Sequence, residues 1–177
     1  VQKLKEVEIR DIAACSLLGL NDLHKQRIIH RVIHSSLLLG IDIKPDNLLF
    51  GDNGTVKLGD FGLATQLGSS SSHRSTICGT NCYMAPEVFD GATCLKSDVW
   101  SLGITLIELA EGRNPFGVST AAAAMKSIYL NPPPSLSSSA YSPDFVDFVK
   151  QCLVKEREQR PSVAEEEEKA EDSGKST

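Results

Sequence analysis

Four side chains in a short span have the types that proton-transfer and phosphate chemistry needs: Asp42, Lys44, Asn47 and, thirteen residues after Asn47, Asp60. The first three stand as Asp-x-Lys-x-x-Asn in Asp42-Ile43-Lys44-Pro45-Asp46-Asn47-Leu48-Leu49-Phe50, a polar loop running straight into an apolar strand. An acid, a lysine and an amide facing one small site can accept a proton, steady a phosphate and hold a metal. Asp60 begins Asp60-Phe61-Gly62, a second acid on a loop with a glycine. Taken alone, Asp42, Lys44 and Asn47 could be loop-capping residues with no chemistry; the second acid downstream favours the chemical reading.

These groups need elements to hold them. Leu48-Leu49-Phe50 and Thr55-Val56-Lys57-Leu58 read as short strands joined through Gly51-Asp52-Asn53-Gly54, where Asn-Gly supplies the positive φ angles of a tight hairpin. That hairpin puts Asn47 and Asp60 near the same end. Upstream, Val7, Ile9, Ile12, Ala13, Leu17, Leu20 and Leu23 recur at helical spacing and predict a helix from Glu6 to about Lys25. Ile28-Ile29 reads as a short strand ending at His30-Arg31, before an apolar-rich segment, 32–41. Downstream, the Ser/Gly-rich run from Leu67 to Ser75 predicts a mobile loop. Lys96 to Glu111 is apolar nearly all round and predicts a central buried helix stopped at Gly112. Helices are expected from Thr120 to Leu130 and from Pro143 to Val154, separated by Pro132-Pro133-Pro134, which no helix can cross. A last helix begins near Ser162 and dissolves into Glu165-Glu166-Glu167-Glu168 and a disordered acidic tail, 165–177.

The bulk properties narrow the partners. With 177 residues, 41% hydrophobic and 23% charged, the chain can form one unit with a real core. A net charge of −5 and a pI near 5.4 supply no basic stripe for nucleic acid or a membrane surface, so a protein or small-molecule partner is expected. Five scattered cysteines, without zinc-ligand spacing, read as reduced intracellular thiols. No apolar run approaches the roughly 20 residues of a bilayer span, and the N-terminus has no signal-peptide pattern, so a cytoplasmic location is expected. His24, His34 and His73 belong to no ligand constellation and read as satisfied or exposed histidines.

From Glu8 to Ala164 the chain resembles the helical C-terminal lobe of a serine/threonine protein kinase of the sterile-twenty-like or a related group. The resemblance implies a mainly α fold in which a short β-hairpin carries the catalytic and Asp-Phe-Gly loops. It implies Asp42 as the catalytic acid that accepts or orients the substrate hydroxyl proton, Lys44 as the group that steadies the transferred phosphate, and Asn47 and Asp60 as magnesium ligands. ATP and Mg2+ follow as cofactors, a protein as substrate, and an upstream activating kinase as a possible partner. Thr80, in Gly79-Thr80-Asn81-Cys82-Tyr83-Met84-Ala85-Pro86-Glu87, matches the threonine of the substrate-binding loop. Thr76 aligns with the activation-loop phosphorylation site, Ser75 is a second candidate, and Arg31 is the arginine that would answer a phosphate there. Glu87 is expected to pair with Arg160 in a buried structural ion pair, and Asp98 to brace the catalytic loop from below.

Two departures from the family stand out. The family places His-Arg directly before the catalytic acid; here ten residues, 32–41, separate His30-Arg31 from Asp42. Either this block is an insertion, or Gly40 and Ile41 occupy the His-Arg places. No Gly-x-Gly-x-x-Gly loop and no Val-Ala-x-Lys strand precede Glu6, so residues 1–164 are read as the C-terminal lobe with the N-terminal lobe absent. Alternatives to an active enzyme are a pseudokinase or truncated lobe that binds proteins, and an incomplete gene model of an active kinase.

Overall fold

The computed structural model describes residues 3–25, 43–51, 56–58, 81–92, 94–117, 120–137 and 139–164. The first helix, α1 (Glu6–Lys25), follows the predicted limits and buries Ile9, Ile12, Ala13, Ser16, Leu17 and Leu20 on one face. Acids in its first turn (Glu6, Glu8) and bases in its last (His24, Lys25) complement the helix dipole. A single 3-10 turn, Pro45–Asn47, leads into β1 (Leu48–Phe50), which pairs antiparallel with β2 (Val56–Leu58) in the register Leu48 to Leu58 and Phe50 to Val56. A second 3-10 turn, Asn81–Tyr83, precedes α2 (Pro86–Phe89), and the chain continues through α3 (Leu95–Glu111), α4 (Ala121–Leu130) and α5 (Pro143–Cys152).

The core is built around α3. Val99, Trp100, Leu102, Ile104, Leu106, Ile107, Leu109 and Ala110 are all buried, so every side of this helix meets protein. Full burial of one such side chain is worth about 1.5–3 kcal/mol. The helix ends where predicted, at Gly112, whose φ of 75° is left-handed and costs glycine little. α1, α5 and both 3-10 turns pack against α3, and α1 also covers β2. α4 packs on α2 and the second turn; Tyr129 Oη donates to the Pro86 carbonyl at 2.9 Å.

Helix α5 is stapled to α1. Ser142 caps α5 by accepting from the Phe145 amide, and its hydroxyl and amide both donate to the carboxyl of Glu6. The α3–α5 crossing depends on one missing side chain: a Cβ on Gly103 would lie 2.8 Å from Cys152 Cβ and 2.9 Å from Leu153 Cδ2. Both neighbours are fully buried and cannot swing away. Gly103→Ala is therefore expected to cost about 1–3 kcal/mol through overpacking, read as a lower denaturant midpoint at unchanged slope. An unchanged midpoint would show that the two helices separate freely.

Several expectations need adjusting at their edges. α5 stops at Cys152 rather than Val154, because Leu153 leaves the helical backbone region (φ −101°, ψ 23°) and the Val154 amide turns back onto the Gln151 carbonyl. α2 is too short to give a period, and only its proline in the first turn marks it. Near Ser162, residues 163 and 164 are helical. The Ile28-Ile29 strand, segment 32–41, Thr55, the Asn53-Gly54 turn, the Leu67 to Ser75 loop and the tail from Glu165 lie outside the described residues. Among those described, no helix is long and apolar enough to cross a membrane, and Cys15, Cys82, Cys94 and Cys152 are free thiols.

Candidate active site

The loop that carries Lys44 and Asn47 is fixed from three directions. Ile43 is buried, at 1% exposure, and its carbonyl accepts from Thr105 Oγ1 of α3 at 2.9 Å. Lys44 has extended backbone, and Pro45 then presets the φ of the turn. The Asn47 amide donates to the Lys44 carbonyl at 3.0 Å, and the Leu48 amide closes onto Pro45. The result brings Lys44 and Asn47 onto one turn at the mouth of β1. Asn47 is buried, Lys44 is half-exposed, and Asp46 between them points to solvent.

A second polar centre also rests on α3. Tyr83 Oη donates to Glu108 Oε2 at 2.5 Å, and Asn114 Nδ2 donates to the same oxygen at 3.0 Å. Asn114 is itself held by the Phe116 amide on its Oδ1. Burial, then the Glu108 carboxylate, pushes the Tyr83 hydroxyl far above the usual tyrosine range, with a smaller push from Asp46. Ser101 Oγ donates to the Tyr83 carbonyl at 2.8 Å, so the backbone of this turn is also tied to α3.

The chain matches the protein kinase domain family over residues 1–169. It belongs to that family. Among the described residues, the mostly helical arrangement with a small two-stranded antiparallel sheet is that of the C-terminal lobe of a protein kinase. Phosphoryl transfer is the family's reaction, proteins are its substrates, and ATP and magnesium are what it generally uses.

Within this kinase lobe the other named residues fall in two groups. Arg160 is fully buried and donates to Glu87 Oε1 and Oε2 at 2.7 and 3.0 Å, and to the carbonyls of Lys96, Val154 and Lys155. Its guanidinium lies 5.3 Å from the ring centre of Trp100. Burial opposes ionisation of Glu87, but the hydrogen bonds and charge of Arg160, with help from Ser97, hold its carboxyl below the usual value. Asp98 lies at the start of α3 and takes a 2.8 Å bond from His24 Nε2 at the end of α1. Burial raises the Asp98 carboxyl, and His24 opposes that rise. Asp42, Asp60, Thr80, Thr76 and Ser75, with His30 and Arg31, lie outside the described residues, as does the part of the catalytic loop before Ile43 that Asp98 was expected to brace.

Sequence reasoning left out Thr105, Ser101 and the Tyr83–Glu108 pair, which the structure places around the two turns, and named no partner for His24. The first two had a signal available, because Ser97, Ser101 and Thr105 recur every four residues in an otherwise apolar helix. The His24–Asp98 pair, 74 residues apart, had none in its periodicity.

Proposed function

We propose that this chain transfers the γ-phosphoryl group of ATP to a serine or threonine hydroxyl of a protein, as a member of the sterile-twenty-like or a related group. The observation that carries the reading is the turn joining Lys44 to Asn47, buried at its amide and anchored to α3 through Ile43. Asp42, one residue before Ile43, takes or orients the proton of the attacking hydroxyl. Lys44, half-exposed on the turn, steadies the transferring phosphate. The donor set suits magnesium, since Asn47 offers an amide oxygen and Asp60 a carboxylate, both hard ligands. Magnesium there supplies charge neutralisation at the phosphates. Thr80 belongs to the loop that receives the substrate, two residues before Cys82 of the second turn, and Thr76 or Ser75 accepts an activating phosphate.

The test is incubation with labelled ATP, Mg2+ and a peptide mixture offering serine, threonine and tyrosine, followed by phosphoamino-acid analysis. Phosphoserine and phosphothreonine that disappear with EDTA are the expected result. Phosphotyrosine alone, or no transfer, overturns the proposal. A second reading, a protein-binding module without turnover, is favoured by one observation: ten residues stand between His30-Arg31 and Asp42. A misplacement of about 1 Å costs on the order of a hundredfold in rate. Transfer that rises on deletion of residues 32–41 would attribute the loss to that block.

A further inference from the structure

Helix α3 presents three hydroxyls at four-residue intervals, Ser97, Ser101 and Thr105, which at that spacing share one face. Each reaches a different segment. Ser97 Oγ donates to Glu87 Oε1 at 2.9 Å, Ser101 Oγ to the Tyr83 carbonyl at 2.8 Å, and Thr105 Oγ1 to the Ile43 carbonyl at 2.9 Å. The three are also joined to one another. Ser101 Oγ lies 3.3 Å from the Ser97 carbonyl, and Thr105 Oγ1 lies 2.9 Å from the Ser101 carbonyl. The single proton of Ser101 and of Thr105 is shared between a carbonyl of its own helix and a carbonyl of the neighbouring segment, which seats each oxygen between the two.

Buried backbone carbonyls need donors, and the amides of the two turns are engaged elsewhere, Asn47 on Lys44, Leu48 on Pro45 and Met84 on Asn81. Four residues of helix rise about 6 Å, so the ladder sets the Tyr83 and Ile43 backbones about one helical turn apart along a rigid rod. Valine in place of Thr105 would keep its branched shape and take this donor from the Ile43 carbonyl, as alanine in place of Ser101 would take one from the Tyr83 carbonyl.

We propose that Ser101 and Thr105 are positioning residues that hold the substrate-side turn, Asn81–Tyr83, and the phosphate-side loop, Ile43–Asn47, in a fixed register on α3, with Ser97 extending the same ladder to the Glu87–Arg160 pair. Its consequence for turnover rests on the phosphoryl-transfer reading; the register itself does not.

Both parts are tested on the full chain with Thr105→Val, Thr105→Ser and Ser101→Ala. Amide hydrogen exchange by mass spectrometry is expected to speed about tenfold over residues 44–48 in Thr105→Val, with residues 83–84 unchanged, as follows from losing one buried hydrogen bond. Ser101→Ala is expected to do the reverse, and Thr105→Ser to restore the parent pattern. In phosphoryl transfer, Thr105→Val lowers kcat about tenfold with KM for ATP unchanged, whereas Ser101→Ala raises KM for the peptide. Unchanged exchange at 44–48 in Thr105→Val, or faster exchange spread evenly along α3, overturns the register. If the parent chain transfers no phosphate, the phosphoryl-transfer reading alone falls, and the exchange measurements still decide the ladder.

Discussion

Glu87→Ala is expected to lower the thermal midpoint by about 10 °C, from a loss of about 3–5 kcal/mol at about 2–4 °C per kcal/mol for a domain of this size. Arg160 is the reason. Its guanidinium has no exposed surface, and the Glu87 carboxylate is the only negative charge among the partners it donates to. Three carbonyls remain after the substitution, but they carry only partial charge. The buried cation keeps its desolvation cost and loses the attraction that offsets it. Ser97 also loses the acceptor of its hydroxyl. Removing both charges, in Glu87→Leu with Arg160→Met, is expected to recover part of the loss, since paired apolar groups leave no stranded charge. A midpoint that does not move in Glu87→Ala would mean that water reaches Arg160.

The same pair sets a pH window. The Glu87 carboxyl is held below its ordinary value of 4.5 in the folded chain. A lowered folded pKa means that its contribution is present above the unfolded value and is lost as pH falls through the folded one. Glu87→Gln is thus expected to cost most near neutrality, and the stability gap between it and the parent to narrow as pH drops below 4.5.

Asp42→Asn is the second large expectation. The substitution keeps the size and shape of the side chain and removes its basicity, so phosphoryl transfer should fall by about 10²–10⁴-fold. Magnesium-dependent nucleotide binding and the thermal midpoint should stay near those of the parent, because the proposed metal ligands, Asn47 and Asp60, are untouched. Transfer at the parent rate would remove Asp42 from the reaction.

What the sequence could tell depended on length and locality. α1 is long enough for its apolar period to repeat, α3 reads as a long run apolar nearly all round, and Gly112 marks its end. The β1–β2 pairing was legible from two short apolar runs around an Asn-Gly step. Lys44 and Asn47 sit three residues apart, so a local turn suffices to unite them. Glu87 and Arg160 are 73 residues apart, and only the resemblance to a kinase joined them in advance. His24 stood in the sequence as one histidine with no companions. Its partner, Asp98, becomes visible only when the end of α1 meets the start of α3. Glu108 likewise reads as an ordinary helix acid until Tyr83 and Asn114 converge on it. Four-residue spacing of hydroxyls was readable, but nothing local says that each one faces a loop rather than its own helix.

The clasp between Glu6 and Ser142 bears on how the molecule is made. These residues lie 136 positions apart, so the first turn of α1 leaves the ribosome long before the group that secures it exists. Contacts of such long range close slowly, because the entropy of the intervening chain is lost before the contact forms. During synthesis the apolar face of α1, with Ile9, Ile12 and Leu17, is not fully covered until β2 and then α3 arrive, and Glu6 is unmet until α5 does. A nascent chain halted before Ser142 would hold most of this core and not its fastening, and it would be the species most in need of a chaperone.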